Sequence, residues 1–359
     1  MLERDYDLLG ESGKRAVEIG LAAAEWYHSD IPREEMKELM SRRDGPAIRD
    51  SIIYYGAMIV LAGLTIWLWP SPWAFVPFMG YAVLYGSASD SRWHEAGHRT
   101  AFKTRWMNRV VYHIACFMLF RNPVIWRWSH SRHHTDTIIV GRDPEIQTMR
   151  PPKIPRLVPM FFGKHQLDGF ISMFRYAFHG LNEAEKSFVP EPEQPKVAVI
   201  ARVWVAICAA VALTAMATQS LLPFLLVGVG PSLFGSWHFV MTGLLQHTGM
   251  ADNVIDHRLN TRTVYMNPIS RFIYWNMNYH VEHHMFPMVP YHALPRLHEK
   301  IKHDLPEPNH SIAEGLAEVV GALRKQLTDK EFRIEKELPS TARPYRMDYH
   351  AEALGLPAE

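Results

Sequence analysis

Residues 52–70 read IIYYGAMIVLAGLTIWLWP, an apolar stretch without one charged side chain. It is long enough to cross a hydrocarbon layer as a helix. A Ser71–Pro72 turn follows, and residues 73–91 (WAFVPFMGYAVLYGSASDS) predict a second span that turns polar at Ser87, Ser89 and Asp90. Trp67, Trp69 and Trp73 gather at the tip of this hairpin, where an aromatic belt would put them. Two further apolar stretches, about 197–217 and 221–245, are joined by Thr218–Gln219–Ser220 and predict a second hairpin, with Arg202 placed to snorkel. The expectation is an all-α integral membrane fold of two transmembrane hairpins, four helices in all, with a cytosolic helical cap.

Charge placement gives the orientation. No Lys or Arg occurs between Ile52 and Ser91, or between Val203 and His257, so both hairpin turns are bare of positive charge. The N-terminal, middle and C-terminal sections are rich in Lys and Arg, and the positive-inside rule puts them in the cytoplasm. That reading brings every histidine cluster to the cytoplasmic side of the membrane. The N-terminal stretch to Asp50 is polar and acidic and lacks the layout of a cleaved signal peptide. Three segments result: a cytosolic N-terminal helical segment (1–50), a membrane domain (51–300), and a C-terminal helix and tail (301–359).

Between the hairpins, residues 110–120 are apolar but too short to span, which predicts a buried or interfacial helix. Residues 151–159 and 190–195 are proline-rich linkers. Between them Leu167, Phe170, Ile171, Phe174, Phe178 and Leu181 recur at helical spacing. The stripe fits a helix lying on the membrane or one facing a core. Near the end, Ser311 and Glu314 form a capping-box pattern before Ile312, Leu316, Val319, Leu323 and Leu327. The polar tail from Glu331 predicts partial disorder. Cys116 and Cys208 sit in apolar surroundings and read as buried free thiols. The net charge of +1 gives no support to a polyanion partner such as nucleic acid.

The chemistry is carried by histidine. Three clusters stand out among the 20 histidines: His94 with His98; His130 with His133 and His134; and His280 with His283 and His284. Residues four apart share a helix face, so each cluster presents a patch of imidazoles. Each HxxHH trio is wide enough to serve two neighbouring metals. An HxxxH pair arises by chance about once in a chain this rich in histidine, whereas two HxxHH trios are expected in fewer than ~1 in 100 such chains. Imidazole suits iron, zinc and copper, and eight such ligands exceed the needs of one ion.

His247, just past the fourth span, matches the clusters in depth. His238 lies nine residues earlier, about 13 Å deeper on a helix, and reads as a hydrogen-bonded bundle or tunnel histidine. For His28, His113, His165, His179, His257, His292, His298, His303, His310 and His350, surface or packing roles are the default. Glu95, Asp136, Asp143, Glu145, Asp252, Asp256 and Glu282 lie beside the clusters and could orient ligand imidazoles. Asn276, four residues before His280, could hold a metal-bound water or cap a structure. Trp126 and Trp128 could line the mouth of a substrate slot or simply pack.

HEAGH, HSRHH and HVEHH, in this order and topology, resemble the boxes of the membrane fatty acid desaturase family. The run Asn278–Tyr279–His280–Val281–Glu282–His283–His284–Met285–Phe286–Pro287 is especially similar to bacterial members. The resemblance implies two iron ions held by His94, His98, His130, His133, His134, His280, His283 and His284, with His247 as the additional ligand. It also implies O2 as co-substrate and an acyl or lipid substrate. No His-Pro-Gly-Gly motif of a fused cytochrome b5 domain is seen, so electrons would come from a separate ferredoxin, rubredoxin or cytochrome b5-like donor. A hydroxylase on the same scaffold, and a desaturase of a small amphiphilic amino-acid derivative, stay open. A zinc protease using Glu95 as base would leave both trios unexplained. A metal carrier would need acidic groups that the spans do not offer.

Overall fold

The computed structural model describes residues 4–88 and 91–346. Ser89, Asp90 and His350 lie outside the described residues, as does the tail beyond residue 346. The regular structure of the described residues is all helix, with two isolated β-bridges, Thr263 to Tyr279 and Val264 to Asn309.

The helices that organise the molecule are α1 (Glu11–Glu18), α2 (Arg33–Leu39), α3 (Asp44–Leu68), α4 (Phe75–Gly86), α5 (Arg92–His98), α6 (Arg105–Met118) and α7 (Pro123–Thr135). After these come α8 (Lys164–Phe178), α9 (Gln194–Thr218), α10 (Val229–His247), α11 (His280–Met285), α12 (Leu294–Ile301) and α13 (Ile312–Gln326). The first helix of the membrane domain starts at Asp44, so the boundary expected at residue 50 runs through α3.

Three helical segments are long and apolar enough to cross a membrane: 33–68, 191–218 and 222–247. The second expected span is the exception. It forms a 3-10 turn at Pro72–Ala74 and the 12-residue α4, about 18 Å of helix, short of the roughly 30 Å of a hydrocarbon core. The chain leaves the helix at Ser87, where its sequence turns polar. Trp67 and Trp73, at the hairpin tip, are 77% and 71% exposed.

α4 packs against α3 and, more extensively, against α10. Glycine makes the second contact possible. A Cβ on Gly235 would lie 1.8 Å from the Ala82 carbonyl oxygen, and one on Gly86 would lie 2.9 Å from the Gly235 backbone. Lipid gives no hydrophobic drive for helix pairing, so backbones that can approach closely are what hold such a pair together. α8 packs on α9 through Met173 and Ala177 and leaves Ile171 and Phe178 60% and 67% exposed. Its stripe is therefore divided: Phe170 packs edge-on to Phe120 at 5.3 Å, while Ile171 and Phe178 face outward, as on a helix resting on a membrane.

The segments on either side of the hairpins fold over the histidine-bearing helices. Arg258 is fully buried and bonds Asp256 (2.7 Å) and Asp304 (3.1 Å), with its guanidinium 3.6 Å over the Tyr27 ring. Removing one partner from such a buried network typically costs about 3–5 kcal/mol. The tail joins the same network. Arg258 donates to the Pro344 carbonyl (3.0 Å), and the Arg346 amide donates to Asp256 (3.0 Å). The Ile334 amide meets the Gly249 carbonyl at 2.8 Å. The expected disorder from Glu331 does not hold through residue 346, because buried charges recruit the tail's backbone as partners. Ser311 caps α13 through the Glu314 amide (3.1 Å), but Glu314 returns its bond to the His310 amide (2.9 Å) rather than to that of Ser311. Cys116 is buried and Cys208 half-buried, both free.

Candidate metal centre

Each histidine box sits on its own helix, and local chemistry sets the three orientations. α5 carries His94 and His98 and stops at Arg99, in the left-handed region at φ 61°. α7 carries the second box. Pro123 occupies its first turn, and the Asn122 side chain caps the Val124 amide at 3.1 Å while donating to the Val197 carbonyl of α9 at 3.2 Å. α11 is a short helix that begins at His280 itself. His247 ends α10. The buried Arg262 caps that end by donating to the carbonyls of Leu245 (3.0 Å) and Thr248 (3.1 Å), as basic side chains do at helix C-termini.

The boxes converge on two groups of nitrogens. One atom each of His94, His98, His130, His134 and His283 lies within 4.8 Å of all the others, and the same holds for His133, His247 and His284. His280 joins the second set, its Nε2 3.2 Å from Nε2 of both His247 and His284. Each HxxHH trio straddles the two groups. His130 and His134 face one while His133 faces the other, and His283 is split from His280 and His284 in the same way.

The tautomers follow from the partners on the far side of each ring. His130 Nδ1 is 3.0 Å from Glu145, His133 Nδ1 is 2.8 Å from Asp143, and His247 Nδ1 is 2.9 Å from the Asn260 carbonyl. These oxygens only accept, so Nδ1 bears the proton and Nε2 keeps a bare lone pair. His284 Nδ1 meets the Thr137 hydroxyl at 3.3 Å, and that hydroxyl donates to the His133 carbonyl at 2.6 Å. It too must accept from the imidazole. His280 Nε2 thus stands between two bare lone pairs and can donate to only one. In the other group, the bare Nε2 of His130 is 3.0 Å from His98 Nε2 and 3.1 Å from His134 Nε2. Buried lone pairs that face one another are costly unless a cation lies among them. The residues present fit two metal ions.

Electrostatics favours the ligand form. Burial, reinforced by neighbouring imidazoles, holds His94, His98, His134, His280, His283 and His284 well below the usual histidine range, hence neutral. Burial pushes Glu145 up, but the facing His130 and the Ser129 hydroxyl outweigh it and hold the carboxyl at about 2. Glu145 is therefore an ionised acceptor for the His130 N–H.

Of the carboxylates flanking the boxes, Glu145 and Asp143 bond ligand rings, while Asp136, Glu95 and Glu282, and the amide of Asn276, take other partners. Asp136 bonds Arg142 at 2.9 Å, because α7 ends at Thr135 and the chain turns away. Glu95 is fully buried, takes the Thr100 hydroxyl (2.8 Å) and the Tyr291 amide (3.0 Å), and contacts no imidazole. Glu282 takes His298 Nδ1 and the Thr263 hydroxyl (2.6 Å), fastening α11 from behind. Asn276 is left-handed at φ 57° and donates to the Tyr291 carbonyl at 3.0 Å. The helix starts only at His280, so the shared face expected for Asn276 and His280 does not form.

His257, with no box spacing to mark it, is buried with its ring 5.1 Å from that of His284 and stacked on Trp26. His238 meets the Ser87 hydroxyl at 3.0 Å, away from both groups. Trp126 packs edge-on to Trp93 at 5.6 Å and lines two adjoining hollows. One of about 40 Å³ touches His94, His130, His247 and His280. The other, about 210 Å³, runs outward past Met149 to Lys153 and Arg156. Trp128 packs beside Val189 and Phe188 instead. A third, strongly apolar cleft of about 500 Å³ lies between α8, α9 and the start of α10, with Phe120 among its walls.

A helical protein with apolar spans and two buried nests of imidazole is the frame of a membrane metalloenzyme. The sequence matches the fatty acid desaturase family over residues 67–315. The chain belongs to that family, whose named members are oxidoreductases. It is 25% identical to fatty acid desaturase 3 of Homo sapiens over 301 residues, covering 75% of this chain and 65% of that protein. It is 24% identical to the Delta(8)-fatty-acid desaturase of Euglena gracilis over 275 residues, covering 67% and 65% respectively. A shorter match, 32% over 97 residues, joins it to the sn-1 oleoyl-lipid 12-desaturase of Anabaena variabilis, covering 26% of this chain and 27% of that one. Even in the longer matches, the chain spans less than two thirds of its relatives' length.

Proposed function

We propose that this protein is a membrane-embedded, O2-dependent desaturase that carries two iron ions and introduces a C=C bond into an acyl chain. The observation that carries the reading is the pair of nitrogen nests: nine imidazoles from four helices, six of them buried and three partly so, sorted into five and four, with four tautomers fixed to leave Nε2 bare. His94, His98, His130, His134 and His283 would hold one iron, and His133, His247, His280 and His284 the other. When bound, iron supplies with O2 the oxidising power to break unactivated C–H bonds, which acid–base side chains lack.

The chain's own residues do the rest. Glu145, Asp143, Thr137 and the Asn260 carbonyl hold four ligand rings in register. We assign the acyl chain to the apolar cleft by Phe120 and its reacting carbons to the hollow beside Trp126, which touches both nests. Two hydrogens leave adjacent carbons, O2 ends as water, and two further electrons come from a separate ferredoxin, rubredoxin or cytochrome b5-like protein. We take α4 as the return arm of the first hairpin. The nests then face the cytoplasm, with the protein in a bacterial inner membrane.

The test is metal analysis of the purified protein together with lipid profiling of cells with and without expression, His130→Ala serving as the inactive control. Two irons per chain and new double bonds absent from the control are expected. Unchanged double-bond content in every lipid and metabolite class would sink the reading.

A further inference from the structure

One patch of surface carries positive charge that nothing in the described structure neutralises. Arg99, Lys103, Arg105 and Arg109 are exposed and Arg127 half-buried, and none makes an ion pair among the described residues. Elsewhere basic side chains are commonly paired, as Lys164 is with Asp168 (2.6 Å) and Arg296 with Glu38 (2.8 Å). The five are close in space, since α5 packs on α6 and the Arg127 guanidinium lies 5.6 Å from the Tyr112 ring of α6. Of the carboxylates facing the patch, Glu193 is already bound to Lys196 at 2.6 Å, and Asp44, beside Lys103, accepts the Thr104 amide at 2.9 Å and hydroxyl at 2.8 Å. Like charges assembled without counter-charges cost stability, and complementary partners repay that cost.

The position of the patch says what it is for. Arg99 directly follows His98, and Arg127 precedes His130 by less than one helical turn. His98 and His134 are partly exposed rings of the five-histidine nest, and in the other nest only His247 is, with His133, His280 and His284 buried. The arginines therefore lie beside the nest with the larger number of partly exposed rings.

We propose that this arginine patch is the docking surface for an acidic one-electron carrier protein, which delivers electrons to the five-histidine nest through the exposed edges of His98 and His134. The proposal rests on the desaturase reading for its need of an external donor. Trp106, Val110 and Ile114, also exposed on α6, raise one rival occupant, the anionic headgroups of the membrane.

The experiment uses full-length protein in nanodiscs. Reduced ferredoxin, rubredoxin and cytochrome b5 are titrated by a binding assay that needs no turnover, and then as electron sources during turnover. Arg105→Glu/Arg109→Glu is compared with Lys153→Glu/Arg156→Glu, an equal charge reversal at the mouth of the other groove. Binding of at least one donor, weakened about tenfold or more in the α6 variant and by raised salt, is expected. The donor KM should rise in parallel, while the Lys153/Arg156 variant keeps its donor affinity. Three results overturn the proposal: no donor binds, the α6 variant binds donors as wild type does, or it loses only its preference for anionic lipid. Charge-dependent donor binding without any unsaturated product would leave the docking surface standing and remove the desaturase reading.

Discussion

The two nests are built from the same side chain yet differ in how they are held. The five-histidine nest draws on α5, α7 and α11, includes the two half-exposed rings His98 and His134, and has one carboxylate behind it, Glu145. The four-histidine nest draws on α7, α10 and α11. Behind it stand Asp143, the Asn260 carbonyl and the Thr137 hydroxyl. One nest has a ligand to spare and two partly exposed rings, against one, His247, in the other. The other has no spare ligand, and three of its four rings are fixed from behind. The difference teaches that nearly equal ligand counts need not give equal metal retention. The four-histidine nest relies on orientation and the five-histidine nest on number.

Removing one ligand from each side is the strongest way to break that comparison. His284→Ala leaves the four-histidine nest three imidazoles, and His98→Ala leaves the five-histidine nest four. Both variants should lose essentially all turnover. Bound iron should fall toward one per chain in His284→Ala and fall less in His98→Ala, read by elemental analysis after dialysis against a chelator. Equal loss in both would mean that the fifth ring of the five-histidine nest does not bind.

The next effect tests what stands behind the rings. Glu145→Ala removes the only carboxylate behind the five-histidine nest, and loss of such a partner commonly costs about 10–100-fold in metal affinity or activity. Asp143→Ala should cost at least as much, because Asp143 also accepts the amides of Ile138 (2.8 Å) and Glu145 (2.8 Å) and so shapes the loop that presents Glu145. Iron affinity by competition with a chromophoric chelator separates the two. A larger loss from Glu145→Ala than from Asp143→Ala would reverse the assigned dependence.

Much of this was legible in the sequence, and the exceptions have physical causes. Helical spacing carries the boxes, so their rings were found from i, i+3 and i, i+4 patterns, and depth along α10 pointed to His247 over His238. Charge-free apolar runs gave three of the four spans. The second is not among the long apolar helices, because the chain spends Pro72–Ala74 on a 3-10 turn and leaves the helix at Gly86, so that α4 has only 12 residues. The orienting carboxylates could not be ranked from sequence. Asp136 is nearer the second box than Asp143 or Glu145, yet the turn after Thr135 swings it toward Arg142 and returns the later two beneath the rings. Asn276 failed for a related reason, since adjacency in sequence became a helix face only from His280 onward. The tail's order depends on buried Arg258, a tertiary demand that composition does not carry.

Asp136 supplies the smallest expected effect and the sharpest control. It is buried and bonds Arg142 and, at 3.7 Å, Arg132, with no contact to a ligand ring. Asp136→Asn keeps the shape but gives up charge on one side of a partly exposed ion pair. A hydrogen bond to a charged group contributes about 1.5–3 kcal/mol, and the remaining amide oxygen can still accept from Arg142. The net loss of stability should therefore stay near or below about 1 kcal/mol, with iron content and affinity unchanged. Thermal unfolding and the same chelator competition read the two quantities separately. If Asp136→Asn lowered iron affinity as far as Glu145→Ala, position along the chain would matter more than contact with the ring. The division between carboxylates that hold imidazoles and carboxylates that hold arginines would then fail.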